Sequence, residues 1–394
     1  MDNLLGHRSV SGRLRLMNDI ADASPIFSPY KLRDLELPNR VVVSPMCQYS
    51  AEEGTPNDWH LVHLGSRAVG GAGLIIAEMS GVSPIGRITP GCTGMYVDAH
   101  VEGWRRITDF VHERSDAKIG IQLGHAGRKA STKPLWQGQN QPLDSGNWKI
   151  IAASAEAYGE GNQVPKAMDQ SMIDEVVAQF GKAAERVVEA GFDMIEIHGA
   201  HGYLISGFMS PISNKRNDDY GGDLPNRMRF PLQVVDSIRA ALPDGMPLGV
   251  RISATDGVEG GNTDDDAVKI SRMFKDHGVD YITASAGGIA GWSMIPRPEP
   301  LGYVPFARRI KHEAGIATMA VGNINTVEEV EDILRQGDAD LVALARGHLR
   351  DSYWSLHATQ ELGMRDGGWP DQYVAVPRQD SLWRKDRNAA GESA

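Results

Sequence analysis

Two cysteines in 394 residues, Cys47 and Cys92, are too few for a disulfide framework or for a four-cysteine zinc or iron–sulfur site. That scarcity points to a reducing, cytoplasmic setting. Basic residues are also in deficit: 40 Lys and Arg against 51 Asp and Glu give a formal charge of −11, so a nucleic-acid backbone or an anionic membrane would repel the chain. No nucleic-acid or membrane partner is expected. No segment offers about 18 uninterrupted apolar residues, the length that spans a bilayer. Met1–Ser24 is mixed and charged, without the apolar core of a signal peptide. It reads as an N-terminal extension, residues 1–24, before a fold covering residues 25–361 and a tail covering 362–394.

What is present is an alternation. With 41% apolar residues the chain can bury one large core, and its 44 glycines and 21 prolines lie between apolar runs rather than in tracts. From residue 38 onward, short β-branched or apolar runs alternate with longer helical patterns. Eight strands are expected: Val41–Met46, Gly73–Glu78, Lys118–Leu123, Asp193–His198, Pro247–Ser253, Asp280–Ser285, Ala317–Val321 and Asp340–Leu344. Between them, Ile173–Ala190 and Val327–Gln336 carry apolar residues at three- and four-residue steps. The pattern predicts a closed (β/α)8 TIM barrel. A doubly wound open sheet competes, but the count of eight and the lack of a GxGxxG turn after the first strand favour closure. Residues 127–170 hold Pro, Gly, Trp and Asn without clear period, and a loop of that length is expected to be a lid or binding element.

In such a barrel the chemistry belongs at the C-terminal ends of the strands. The chemically rich residues fall there: Met46 to Tyr49, Gln122, His198 to Tyr203, Arg251, Gly322 and Arg346. His198 and His201 admit three readings. They are a metal pair needing a third ligand, for which Glu196 is near in sequence; two hydrogen-bonded structural histidines; or two donors to one oxygen on which negative charge develops. Tyr203 either delivers a proton or packs as an aromatic. Gly322 and Ala345-Arg346-Gly347 occupy places where barrels hold a phosphate, or else are a turn and a solvated charge. Arg251 lies in an apolar run, so an anion should meet it, either a reduced flavin or a carboxylate such as Glu196. Cys47 suits packing or a soft cofactor contact better than nucleophilic attack, and Cys92 suits packing.

The blocks Ser44-Pro-Met-Cys-Gln-Tyr49, Asn57-Asp-Trp-His60, Gln122-Leu-Gly-His-Ala-Gly-Arg-Lys129, His198-x-x-His201-x-Tyr203 and Ser213-Asn-Lys-Arg-x-Asp-x-Tyr-Gly-Gly222 resemble the Old Yellow Enzyme family. The likeness runs from about residue 25 to residue 355 and is closest to the thermophilic-like branch. It implies FMN at the barrel mouth and a ping-pong ene-reductase: NAD(P)H is the electron donor, and the substrate is a small molecule with an activated C=C bond. By position, His198 and His201 would bind the substrate's activating oxygen, Tyr203 would donate the proton, and Tyr49 would add a substrate contact. Cys47 would adjust the flavin. Ser44, Pro45, Met46, Gln122 and Arg251 would contact its ring or ribityl chain, with Gly322 and Arg346 at the phosphate.

This sequence departs from the family pattern at three places. Met79 stands where a small residue often lines the flavin, and Ala345 replaces the usual Gly beside the phosphate arginine. Gln372-Tyr373 is followed by Val374-Ala375, displacing Arg378 from the position where an arginine reaches a neighbouring subunit. A homo-oligomer is nonetheless expected. The alternatives are a stand-alone reductase of unsaturated or aromatic CoA thioesters, a non-catalytic flavin-binding protein, and a metal-dependent barrel lyase.

Overall fold

The computed structural model of the chain describes residues 24–291, 300–364 and 368–376. Nearly all of the expected N-terminal extension, and Arg378 in the tail, lie outside the described residues. The strands are Tyr30–Leu32 (β1), Leu35–Leu37 (β2), Val41–Val43 (β3), Leu74–Gly81 (β4), Lys118–Gly124 (β5), Ile151–Ala152 (β6), Lys166–Ala167 (β7), Met194–Gly199 (β8), Leu248–Ser253 (β9), Tyr281–Ser285 (β10), Ala317–Ala320 (β11) and Leu341–Leu344 (β12). Eight of them close a barrel in the order β3-β4-β5-β8-β9-β10-β11-β12, every pair parallel. This is the (β/α)8 barrel, and each expected strand has a counterpart.

Alternation along each strand sorts the core. Val42, Leu74, Ile76, Met194, Tyr281 and Leu341 pack inside the barrel, whereas Val41, Val43, Ile75 and Ala77 face outward against the helices. Tyr281 crosses the interior over Gly249, where a Cβ would stand 2.0 Å from the ring. Any side chain at that glycine would push the tyrosine out. The antiparallel hairpin of β1 and β2 adds Leu32 and Leu37 to the inner cluster, and Arg33 at its turn pairs with Asp280 at 2.6 Å. It stops the N-terminal end of the barrel, leaving the opposite end for chemistry.

The helices follow their sequence signals. Gln170–Glu189 buries Ile173, Val176, Phe180, Ala183 and Val187 on one stripe and starts at Asp169, whose side chain accepts from the Met172 amide. Val327–Arg335 begins with a capping box between Thr326 and Glu329. Two expectations are refined. The first barrel strand ends at Val43 rather than Met46, because Pro45 has no N–H to continue the ladder. The 127–170 segment is not structureless: it holds the helix Leu135–Gly138 and the short β6–β7 pair, with Ile150 to Ala153 buried.

Candidate active site at the barrel mouth

The C-terminal ends of the strands enclose a cavity of about 180 Å³ lined by Ser44, Arg251, Ser285, Gly322, Asn323 and Arg346, among others. Among the described residues, no carboxylate lines it. Arg251, on β9, donates from one terminal nitrogen to Ser44 Oγ at 3.1 Å, while its Nε is buried without a hydrogen-bond partner. Glu196 does not pair with it directly. That buried carboxylate instead accepts from Gln122 Nε2 at 2.7 Å and Thr283 Oγ1 at 2.5 Å. Arg251 therefore offers an unspent donor toward a ligand, as an anion-binding group should. On the cavity's outer side, Gly322 has φ +108°, and a Cβ there would lie 2.7 Å from the Tyr303 ring. Arg346 meets Asn323 Oδ1 at 3.1 Å. Ala345 has φ −102°, a conformation open to any residue, so the backbone there makes no demand for glycine. A phosphorylated, anionic cofactor fits this donor set.

His198 ends β8, and the turn after it carries His201 and Tyr203. The His198 and His201 rings lie 5.2 Å apart, and the Tyr203 ring is 4.7 Å from His198. The Ala200 amide donates to His198 Nδ1 at 3.3 Å, which leaves Nε2–H free to donate. His201 is held in the left-handed region at φ +60°. Its amide donates to Ser253 Oγ at 2.9 Å, and its Nε2 lies 2.7 Å from Ser285 Oγ. Burial, reinforced by Arg251 and Lys129, pushes both imidazoles well below the usual histidine range. Both are neutral near pH 7. Burial pushes the Tyr203 phenol well above its ordinary value, so it keeps its proton. No group of three His, Cys, Asp or Glu side chains suited to a metal is found among the described residues.

Cys47 and Tyr49 pack with Met79, Cys92, Trp148 and Tyr203 in one small cluster beside the histidines. Burial holds the Cys47 thiol well above its ordinary value, the opposite of what an activated nucleophile needs. Met79 fits because Gly124 faces it: a Cβ on that glycine would lie 2.8 Å from Met79 Cγ. Met46 and Pro45 are half-buried on the same loop. From the 127–170 segment, the exposed Trp136 reaches within 6.0 Å of the Tyr49 ring.

Several supporting residues had no assigned role at the sequence level. Lys129 is buried, donates to the His201 carbonyl at 2.9 Å, and lies 4.5 Å and 4.8 Å from the Tyr158 and Tyr203 ring centroids. Burial, with Arg128 beside it, pushes its amine down to about 7. Ser253 and Ser285, which hold His201, are the last residues of β9 and β10. Polar residues at strand ends were the available signal for them.

Comparison with known proteins places residues 25–364 under the model of the NADH:flavin oxidoreductase / NADH oxidase family. An NADPH dehydrogenase of Geobacillus sp. (strain WCH70) is 46% identical over 341 residues, covering 86% of this chain and 94% of that protein. An NADPH dehydrogenase of Halalkalibacterium halodurans is 43% identical, over 88% and 97% of the two chains. Among solved structures, morphinone reductase in complex with tetrahydroNAD aligns with TM-score 0.69 and 27% identity, over 86% and 91% of the two chains. A complex of 2-naphthoyl-CoA reductase with 2-naphthoyl-CoA aligns with TM-score 0.77 over 87% of this chain but only 53% of its own length; at 22% identity that likeness is one of fold.

Proposed function

From the premise that this chain belongs to the NADH:flavin oxidoreductase / NADH oxidase family, as an FMN-dependent NAD(P)H oxidoreductase acting on small molecules, we propose that it reduces the activated C=C bond of an α,β-unsaturated carbonyl compound. The observation that carries this reading is the trio at the mouth: two neutral imidazoles held face to edge, with a protonated phenol against one of them.

When bound in the cavity, FMN would supply two-electron hydride chemistry between the nicotinamide donor and the alkene. Arg251 and Ser44 would hold its ring and ribityl portions, with Pro45, Met46, Cys47, Met79 and Gln122 around them. Gly322, Ala345 and Arg346 would receive its phosphate. His198 donates from Nε2 to the substrate carbonyl oxygen. When the Ser285 hydroxyl donates to His201 Nε2, His201 is left with Nδ1–H for the same oxygen. These preorganised donors stabilise the negative charge that reaches the oxygen as the hydride arrives. Tyr203 then delivers its proton to the α carbon, and solvent restores it. Tyr49 contacts the substrate from the opposite loop, and residues 127–170 act as a lid through Trp136.

Isotope placement tests the assignment. Turnover of a cyclohexenone with unlabelled NADPH in D2O should give saturated ketone with solvent deuterium at the α carbon and hydrogen from the nicotinamide at the β carbon. NADPH consumption without saturated ketone overturns it. The family resemblance also implies a homo-oligomer, which sedimentation of the purified enzyme would reveal.

A further inference from the structure

The block Asn57-Asp-Trp-His60 takes no part in the chemistry above, yet three of its side chains converge on the loop that carries Cys47 and Tyr49. Asn57 caps the helix Asp58–Val69 and sends Nδ2 to the Ser50 carbonyl at 2.8 Å. Trp59 donates its indole N–H to Gln48 Oε1 at 3.0 Å, and Gln48 Nε2 turns back to the Met46 carbonyl at 2.8 Å. His60 Nε2 faces Glu78 Oε2 at 3.5 Å, and the other oxygen of Glu78 accepts the Gln48 amide at 3.0 Å.

Glu78 reaches that place through a break in the ladder. Ala77 pairs with Ile121 and Met79 with Gln122, so Glu78 is an extra, unpaired residue in β4. Strict alternation from Leu74 and Ile76 would aim it into the barrel. The bulge re-aims it toward His60 and gives the inward place to Met79. Burial pushes Glu78 up to about 8 and His60 down to about 4, so neither bears charge near pH 7. The loop itself is under backbone strain: Tyr49 has φ +50°, a left-handed conformation that is costly for a non-glycine residue. Gly91 lets it settle, since a Cβ there would stand 2.3 Å from the Tyr49 carbonyl.

We propose that Asn57, Trp59, His60 and Glu78 form a positioning clamp that fixes residues 46–50, and with them the orientation of Cys47 and Tyr49 toward cofactor and substrate. Supporting residues of this kind set how closely a site's contact groups hold their geometry. The clamp acts through Tyr49 on substrate affinity and through Cys47 on the cofactor side.

The kinetic part of the test rests on the proposed alkene reduction; thiol alkylation does not, so the two readings fail separately. In the FMN-loaded full chain, Glu78→Gln keeps an acceptor for the Gln48 amide, and Glu78→Leu removes it. Losing the acceptor of the half-buried Gln48 amide should raise the iodoacetamide alkylation rate of Cys47, followed by mass spectrometry, about tenfold, with buried Cys92 unchanged. The same variant should raise KM for a cyclohexenone about tenfold with a smaller change in kcat. Glu78→Gln should stay near wild type, and Trp59→Phe, at an exposed position, should shift Cys47 alkylation in the same direction by a smaller factor. The clamp is overturned if Cys92 alkylation rises in step with Cys47, if Glu78→Gln is as damaged as Glu78→Leu, or if Trp59→Phe leaves Cys47 at the wild-type rate. Trp59→Phe decides alone if Glu78→Leu does not fold.

Discussion

The rings of His198 and His201 stand 5.2 Å apart with their planes at 80°, one on the end of a barrel strand and the other on the strained turn that follows it. In the proposed mechanism both neutral rings donate to one substrate oxygen. The double variant His198→Ala/His201→Ala should slow reoxidation of the reduced enzyme by a cyclohexenone about 100-fold or more, the usual cost of removing preorganised donors from a developing oxyanion. Flavin reduction by NADPH should change far less. Anaerobic stopped-flow absorbance of the two half-reactions separates them, and equal losses in both would remove the oxygen-binding role.

A second prediction concerns the phosphate end. Gly322→Ala would force a side chain into a positive-φ position and against the Tyr303 ring, and Arg346→Gln would remove a charge that lines the same cavity. Each should weaken FMN binding about tenfold, on the scale of strain or of a charge-assisted contact. Fluorescence titration of the apoprotein with FMN measures it. Unchanged affinity in both variants would place the phosphate elsewhere.

These two predictions draw on different layers of the sequence. The barrel was legible because Val41–Val43, Lys118–Gly124 and their counterparts are apolar runs whose polar residues fall at strand ends. His198, His201 and Tyr203 were visible by their spacing and by family resemblance. What the sequence concealed depends on long-range contact: the bulge that turns Glu78 outward, the hold of Ser285 on His201, and the burial of Lys129 between two tyrosines. No local periodicity encodes a register shift, and a serine ending a strand looks alike whether it meets a histidine or water. The β1–β2 hairpin was also missed, since its three-residue strands are too short to show alternation.

His125 makes a pH prediction. It is buried, its Nδ1 accepts the Gly127 amide at 3.0 Å, and burial pushes its pKa down to about 3. A depressed histidine contributes stability that is fully present above the unfolded value near 6.5 and is lost as pH falls through the folded value. Between pH 7.5 and pH 4 the native protein should lose about 3 kcal/mol through this group alone. His125→Asn retains an acceptor for the Gly127 amide but does not titrate. Its stability deficit relative to wild type should therefore narrow steadily below pH 6.5, as followed by denaturant unfolding. A constant gap across that range would show that His125 is already charged when folded, or unchanged on unfolding.

The most direct measurement is a single anaerobic experiment on the purified, FMN-loaded protein. NADPH should bleach the visible flavin absorbance, and a cyclohexenone added without oxygen should restore it with one equivalent of saturated ketone formed. Bleaching that persists until oxygen is admitted, with the enone recovered unchanged, would contradict the assignment of alkene reduction to this site.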